Sequence, residues 1–138
     1  MNSIQERPST THAHCLHSSN STHMNVIFDY LPEFEARAKN LAKKYKSFVQ
    51  DYETFLDELE RNPFSGKPLG HHTYKHRMAI ASKGKGKSGG ARVITYNVQE
   101  HSPEEVIVTL MSIYDKGEIS NVSDSYLRSL VQQIEKTK

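Results

Sequence analysis

Residues 73–114 read TYKHRMAIASKGKGKSGGARVITYNVQEHSPEEVIVTLMSIY, and this stretch decides the fold. Its three runs rich in β-branched and aromatic residues predict strands at 73–81, 91–98 and 105–114. A Gly- and Lys-rich loop at 82–90 separates the first two runs, and a turn containing Pro103 separates the last two. Short connections of this kind favour antiparallel pairing, so we expect a meander whose most apolar strand, 105–114, is central.

The segment before this meander predicts a strand and two helices. Residues 25–31 are β-branched and aromatic, which indicates a strand. Pro32 suits the first turn of a helix, and apolar residues then recur at helical spacing as far as Tyr45. Ser47 and Gln50 fit a capping box that opens a second helix, which Asn62 and Pro63 end. Two helices joined so closely predict a helical hairpin.

The rest of the chain completes a small α+β domain. Residues 64–72 have the composition of a loop. Ser123 or Asp124 caps a last helix, whose apolar stripe comprises Tyr126, Leu127, Leu130, Val131 and Ile134. The predicted order is β-α-α-β-β-β-α, with a mostly antiparallel four-stranded sheet packed by the helical hairpin and a C-terminal helix.

Length and composition exclude several classes of protein. The chain has 138 residues, of which 36% are hydrophobic, and this suits one domain with a modest core. Its apolar runs are only a few residues long, so we expect no membrane-spanning helix. Cys15 is the single cysteine, which rules out an internal disulfide. We therefore expect a soluble, cytoplasmic protein.

Residues 1–23 differ from the rest of the chain. They are rich in Ser, Thr, His and Asn and lack the apolar segment of a signal peptide, so they predict a disordered extension. Met24 is an alternative start, which leaves 24–138 as the folded domain. The extension contains five residues of the types that bind metals, but their spacing fixes no geometry and we predict no metal site: His12, His14, Cys15, His17 and His23.

Positive charge is concentrated in one window. The net charge of the chain is +2, yet residues 75–92 contain six Lys or Arg residues and no acid. A dense basic window that lacks acids typically binds an anion, most often phosphate. The alternative interpretation is a solvated loop.

Strand alternation divides the side chains of this window between two faces. Lys75 and Arg77 lie on the same face of their strand, whereas His76 and Met78 lie on the other. Together with Arg92 on the neighbouring strand, Lys75 and Arg77 can form a phosphate-binding cluster. His76 has the chemistry of a general base, but its opposite orientation favours a partly buried or rim position instead.

The loop at 82–90 also contains two misleading motifs. Residues 84–89 match G-x-G-x-x-G, and 86–88 match the end of a P-loop. Both motifs require a following helix, whereas a strand is predicted here, so we reject both. Lys83, Lys85 and Lys87 can still attract a nucleic-acid backbone. The alternative is a flexible hairpin tip that lysine keeps soluble.

Three segments carry a family resemblance: Tyr74–Arg77, 82–96 and Ile113–Lys116. Together they resemble the HigB-like branch of the RelE/ParE superfamily, the toxins of type II toxin–antitoxin systems. The resemblance covers about residues 24–134 and implies the RelE-like fold. It also implies a ribosome-dependent mRNA endonuclease in which the 2′-hydroxyl attacks the adjacent phosphate without a metal. The implied partners are a cognate antitoxin, the ribosome and mRNA, with no membrane and no small-molecule cofactor.

The resemblance also implies roles for individual residues. Lys75 matches the lysine that helps to activate the 2′-hydroxyl, Arg77 matches a second basic residue of that strand, and Arg92 matches the arginine that holds the scissile phosphate. Lys116 stands where the family has an arginine that contacts the phosphate or the leaving group. Lysine lacks the bidentate fork of arginine, which leaves the acid and base assignments open.

One family feature has no match at its expected position. Val122 stands where some members have a C-terminal tyrosine that stacks on RNA. Tyr114 is the substitute that we expect to contact RNA, because Tyr126 belongs to the apolar stripe of the last helix.

Two other functions fit the same residues. A ParE-like toxin inhibits gyrase by binding and cuts no RNA. An RNA-binding domain without catalysis would also use a basic cluster. The basic residues favour the nuclease, since gyrase inhibition requires no convergent phosphate site.

Overall fold

The computed structural model describes residues 25–84, 86, 89–99, 104–119 and 121–136. The predicted extension 1–23, Met24, Lys85 and Lys87 lie outside the described residues, so the expectations for them stay predictions. The helices and strands of the described part are β1 (Asn25–Tyr30), α1 (Pro32–Lys44), α2 (Phe48–Arg61), β2 (Lys67–Gly70), β3 (Thr73–Met78), β4 (Ala91–Val98), β5 (Glu105–Asp115) and α3 (Asp124–Lys136).

The strands form one sheet in the order β1-β5-β4-β3-β2. β1 pairs with β5 in parallel, and every other neighbouring pair is antiparallel. The predicted α+β class and the mostly antiparallel sheet are therefore confirmed for the described residues. None of the helices described is long and apolar enough to cross a membrane.

The prediction of four strands is wrong, because part of the expected loop at 64–72 is a strand. Lys67–Gly70 forms β2, which pairs antiparallel with β3 at the edge of the sheet. Proline and glycine weaken strand propensity, and this concealed β2 in the sequence. An edge strand tolerates Pro68 because only one side of its backbone joins the ladder.

Two layers of helix cover the sheet. The hairpin of α1 and α2 packs on one face, where its aromatic side chains meet Met78, Val93 and Val108 in the larger core cluster. α3 packs on the opposite face, where Leu130 and Ile134 contact Ile94 and Met111. Residues on β3 and β4 therefore alternate between a face under the hairpin and a face near α3.

The ends of the helices agree only in part with the capping predictions. Ser123 caps α3, because its Oγ accepts a hydrogen bond from the backbone N–H of Tyr126 at 3.1 Å. The capping box at Ser47 is wrong, since this residue has helical backbone angles and makes no side-chain cap. Its Oγ instead donates to Asp51 Oδ2 at 2.7 Å and accepts from the backbone N–H of Ser82 at 2.9 Å. These bonds tie α2 to the turn that follows β3.

Candidate functional site

The four basic residues predicted to be catalytic line one cleft. Arg77 on β3 and Arg92 on β4 are direct cross-strand partners, and Lys75 lies two residues before Arg77 on the same face. Lys116 directly follows β5, and its backbone N–H donates to Gly90 O at 3.0 Å, which holds it beside the start of β4. All four line a cavity of about 690 Å³.

The same cleft contains a fifth cation that the sequence did not reveal. Lys67 on β2 lies directly opposite Lys75 on β3 and lines the cavity with it. We name the five residues together the basic cleft: Lys67, Lys75, Arg77, Arg92 and Lys116. Like charges placed opposite each other on neighbouring strands destabilise a sheet, so their concentration here favours an anionic ligand.

Helix α2 also contributes to the lining of the cavity. Its residues Phe55, Glu58 and Leu59 line it, although α2 packs on the face of the sheet opposite to Lys75 and Arg77. Glu58 is the carboxylate among the described lining residues, and it brings an acceptor to a site otherwise rich in donors. No feature of the sequence predicted it, because Glu58 lies on a helix remote in sequence from the basic window.

The environment of Lys75 favours its neutral form more than water does. Burial lowers the pKa of Lys75, and the positive charges of Lys67, Arg92, Lys116 and Arg77 lower that pKa further. An amine with a lowered pKa has a larger neutral fraction at a given pH, and only the neutral amine can accept a proton. Among the cations of the cleft, Lys75 is therefore the one best suited to act as a base.

Arg92 is more deeply buried than the other cations of the cleft. Only 6% of its surface is exposed, and its Nη1 donates to the backbone oxygen of Ala91 at 3.2 Å. Burial lowers the pKa of Arg92, and the charge of Arg77 lowers that pKa further. A buried guanidinium is a strong donor to an anion, because little water competes with the ligand.

His76 lies on the opposite face of β3, as strand alternation predicts. It is 4% exposed, its Nε2 lies 3.1 Å from Thr95 Oγ1, and its ring packs edge-on against Phe55. Burial lowers the pKa of His76 to about 4, so the ring is neutral at pH 7. His76 also lines the cavity of the basic cleft, and its burial and ring contacts indicate a core residue at the boundary of that cavity.

Lys83, which is predicted to contact phosphate, is not on an open loop. Its Nζ forms an ion pair with Asp115 Oδ1 at 2.6 Å, and only 11% of its side chain is exposed. The Asp115 carboxylate also accepts hydrogen bonds from Tyr45 Oη at 2.5 Å and from the backbone N–H of Gly117 at 2.8 Å. Lys83 therefore ties the base of the loop to Asp115, and its contact with RNA stays a prediction.

Tyr114 is also not the exposed stacking ring that the sequence led us to expect. It is 3% exposed and lies in the core cluster under α3, beside its cross-strand partner Arg92. Its hydroxyl has no hydrogen-bond partner among the described residues. Burial raises the pKa of Tyr114, and the charge of Arg92 partly offsets that rise. Tyr114 therefore packs beside Arg92 as a buried residue.

Tyr126 packs in the stripe of α3, as expected. Its hydroxyl lies 2.7 Å from Ser112 Oγ and donates to Glu33 Oε2 at 2.7 Å. These contacts join α3 to both the sheet and α1, which is the role of a structural residue.

The described residues also argue against the G-x-G-x-x-G and P-loop motifs. β4 begins at Ala91, directly after Gly90, so a strand and not a helix follows the loop. In the described part of the chain, no group of three or more His, Cys, Asp or Glu side chains could hold a metal ion. No family model matches the chain.

Proposed function

We propose that this protein is the toxin of a toxin–antitoxin pair and cuts mRNA on the ribosome. The observation that carries the proposal is the convergence of Lys75, Arg77, Arg92 and Lys116 on one cleft of about 690 Å³. These are the four residues to which the RelE/HigB resemblance assigned roles. Three separate segments contribute them, so their convergence is a property of the fold and not of a single charged loop.

The chemistry of the cleft suits cleavage of RNA by its own 2′-hydroxyl. In this reaction the 2′-oxygen forms a bond to phosphorus, and the bond from phosphorus to the 5′-oxygen breaks, which leaves a cyclic phosphate and a free 5′-hydroxyl. The step requires removal of a proton, stabilisation of a dianionic phosphorane, and protonation of the leaving oxygen.

The residues of the cleft divide these tasks. Neutral Lys75 accepts the proton of the 2′-hydroxyl, which its lowered pKa supports. Arg92 and Arg77 lie side by side across two strands and donate hydrogen bonds to the phosphate oxygens. Lys116 contacts the phosphate and donates the proton that the leaving 5′-oxygen requires. The proposed partners are the ribosome and mRNA as substrate, and an antitoxin whose acidic or helical segment covers the basic cleft.

Mapping of mRNA 5′ ends in cells after a short induction without the antitoxin tests this function. We expect wild type to produce new cuts within translated regions. Arg92→Ala and Arg77→Ala should lower cutting by about 100-fold or more, because each removes a donor to the phosphorane. Arg92 is buried, so its variant needs a circular dichroism check, whereas Arg77 is exposed.

The matched control is Arg128→Ala, which removes an exposed arginine on α3 outside the basic cleft. It should cut like wild type. Growth arrest without new cuts would overturn the nuclease proposal and favour the ParE-like inhibition of gyrase. If the wild type neither cuts mRNA nor arrests growth, both toxin functions are overturned.

A further inference from the structure

The two edges of the sheet differ in their protection against pairing with another strand. β2 at one edge has only four residues, contains Lys67 and Pro68, and pairs with a register shift between Pro68 and Gly70. Short length, lysine, proline and bulges are the features that hinder pairing at an edge. β1 at the other edge has six residues and neither lysine nor proline. Among the described strands, only β5 pairs with it.

The open edge also carries an exposed apolar side chain. Ile27 in the middle of β1 is 37% exposed and is one of the exposed large hydrophobic residues of the described part. Its register partner on β5 is Ile107, which is half-buried. Val26 and Phe28 on the opposite face of β1 are buried in the larger core cluster. Another strand alongside β1 would cover Ile27 and would extend the apolar surface on both faces of the sheet.

We propose that β1 pairs antiparallel with β1 of a second copy of this chain, centred on Ile27. In this register Ile27 lies opposite Ile27 of the second copy, and Val26 lies opposite Phe28. Asn25 lies opposite Asp29, so an amide donor meets a carboxylate acceptor. Directly opposite residues of an antiparallel pair point to the same face, so the apolar matches fall on both faces of the joined sheet.

Neighbouring registers match less well. Pairing centred on Phe28 places Ile27 opposite Asp29, and pairing centred on Val26 places Ile27 opposite Asn25. Either shift sets an apolar side chain against a polar one and removes the amide–carboxylate pair. The sequence of β1 therefore favours one register, and that register has the two-fold symmetry of a closed dimer.

The dimer leaves the basic cleft open. β5 and β4 separate β1 from β3, which places Lys75 and Arg77 about 14 Å from β1 across the sheet. The joined sheet would have β2 at both of its outer edges, and β2 is the edge already protected against further pairing. The proposal is thus independent of the proposed nuclease function.

Light scattering coupled to size exclusion tests the dimer on the full chain over a wide concentration range. We expect a mass twice the 15.7 kDa of the chain. Ile27→Lys should abolish the dimer, because it places two like charges opposite each other on the symmetry axis. Val49→Lys makes the same change at an exposed residue of α2 and should leave the dimer intact. Circular dichroism checks that both variants fold.

Cross-linking supplies a second readout that does not depend on weakening the fold. In a Cys15→Ser background, Ile27→Cys should oxidise to a covalent dimer, because opposite residues of an antiparallel pair lie within the span of a disulfide. Val49→Cys is the control and should not. A wild type that stays monomeric, a dimer that survives Ile27→Lys, or equal cross-linking at both positions would overturn the proposal. If the wild type is a monomer, the β1 edge would instead be available for pairing with a strand of a different protein.

Discussion

Asp115 joins three segments of the chain through one buried carboxylate. Lys83 reaches it from the turn after β3, Tyr45 from the end of α1, and the Gly117 N–H from the turn after β5. Burial alone would raise the pKa of Asp115, but the hydrogen bonds from Lys83, Tyr45 and Gly117 outweigh burial and lower it to about 2. A buried carboxylate with three donors is therefore a strong constraint on how these segments meet.

This pKa predicts how stability depends on pH. A carboxyl group whose pKa is lower in the folded than in the unfolded chain stabilises the fold above the unfolded pKa. The contribution is lost as the pH falls from 3.8 towards about 2. Asp115→Asn should lower the free energy of unfolding at pH 7 by about 2 kcal/mol and flatten its decline in acid. Urea unfolding over a pH series measures both effects.

The control for this prediction is Glu135→Gln, which removes an exposed carboxylate on α3. It should change neither the free energy of unfolding at neutral pH nor its slope in acid. If Asp115→Asn behaves like this control, the carboxylate does not stabilise the junction.

The β2–β3 hairpin determines the position of Lys67 relative to Lys75. Gly70 ends β2 with a φ of 89°, and His71 and His72 connect the two strands with φ values of 53° and 63°. The two-residue turns whose twist matches that of a β-hairpin require a positive φ at both central residues, here His71 and His72. Glycine adopts this conformation without strain, whereas histidine in the left-handed region does so at a cost.

Opposite substitutions at neighbouring positions test the strain in this hairpin. Gly70→Ala should lower the free energy of unfolding by about 1 kcal/mol, and the cause is the backbone alone, because no atom lies within 4 Å of an added Cβ. His71→Gly should raise that free energy by about 0.5 kcal/mol, since it relieves the left-handed strain. Thermal unfolding of the two variants measures the difference. A loss of stability in His71→Gly would show that the imidazole makes contacts which outweigh the strain.

At the scale of the whole molecule, folding concentrates positive charge at one end of the sheet. Lys67, Lys75, Arg77, Arg92 and Lys116 come from four separate segments, namely three strands and the residue after β5. Burial lowers the pKa of Lys75 and of Arg92, and the neighbouring positive charges lower both pKa values further, so mutual repulsion also costs stability in the free protein. A phosphate backbone in the cleft would relieve this repulsion.

Binding of single-stranded RNA should therefore depend strongly on salt. Each phosphate that a cation neutralises contributes about −0.7 to the slope of log K against log salt. Arg77→Ala should thus make the slope shallower by about 0.7, whereas Arg128→Ala should leave it unchanged. Fluorescence anisotropy with a 2′-deoxy-substituted RNA, which cannot be cut, measures the slope. Equal slopes for both variants would place the RNA outside the basic cleft.

The sequence by itself determined the helices, four of the strands and the direction of their side chains. Lys75 and Arg77 lie on one face of β3 and His76 on the other, because a strand alternates its side chains whatever surrounds it. The helical hairpin followed in the same way from apolar spacing within α1 and α2. These features depend on neighbours in the chain, so the pattern of residues is sufficient to predict them.

Only the tertiary structure decided which residues share the basic cleft. β2 exists because its backbone pairs with β3, and this pairing brings Lys67 opposite Lys75 despite the loop composition of its segment. The ion pair of Lys83 with Asp115 spans 32 positions, and the burial of Tyr114 depends on the docking of α3. Such contacts join residues distant in sequence, and their free energy comes from the packed environment, which no local pattern of residues records.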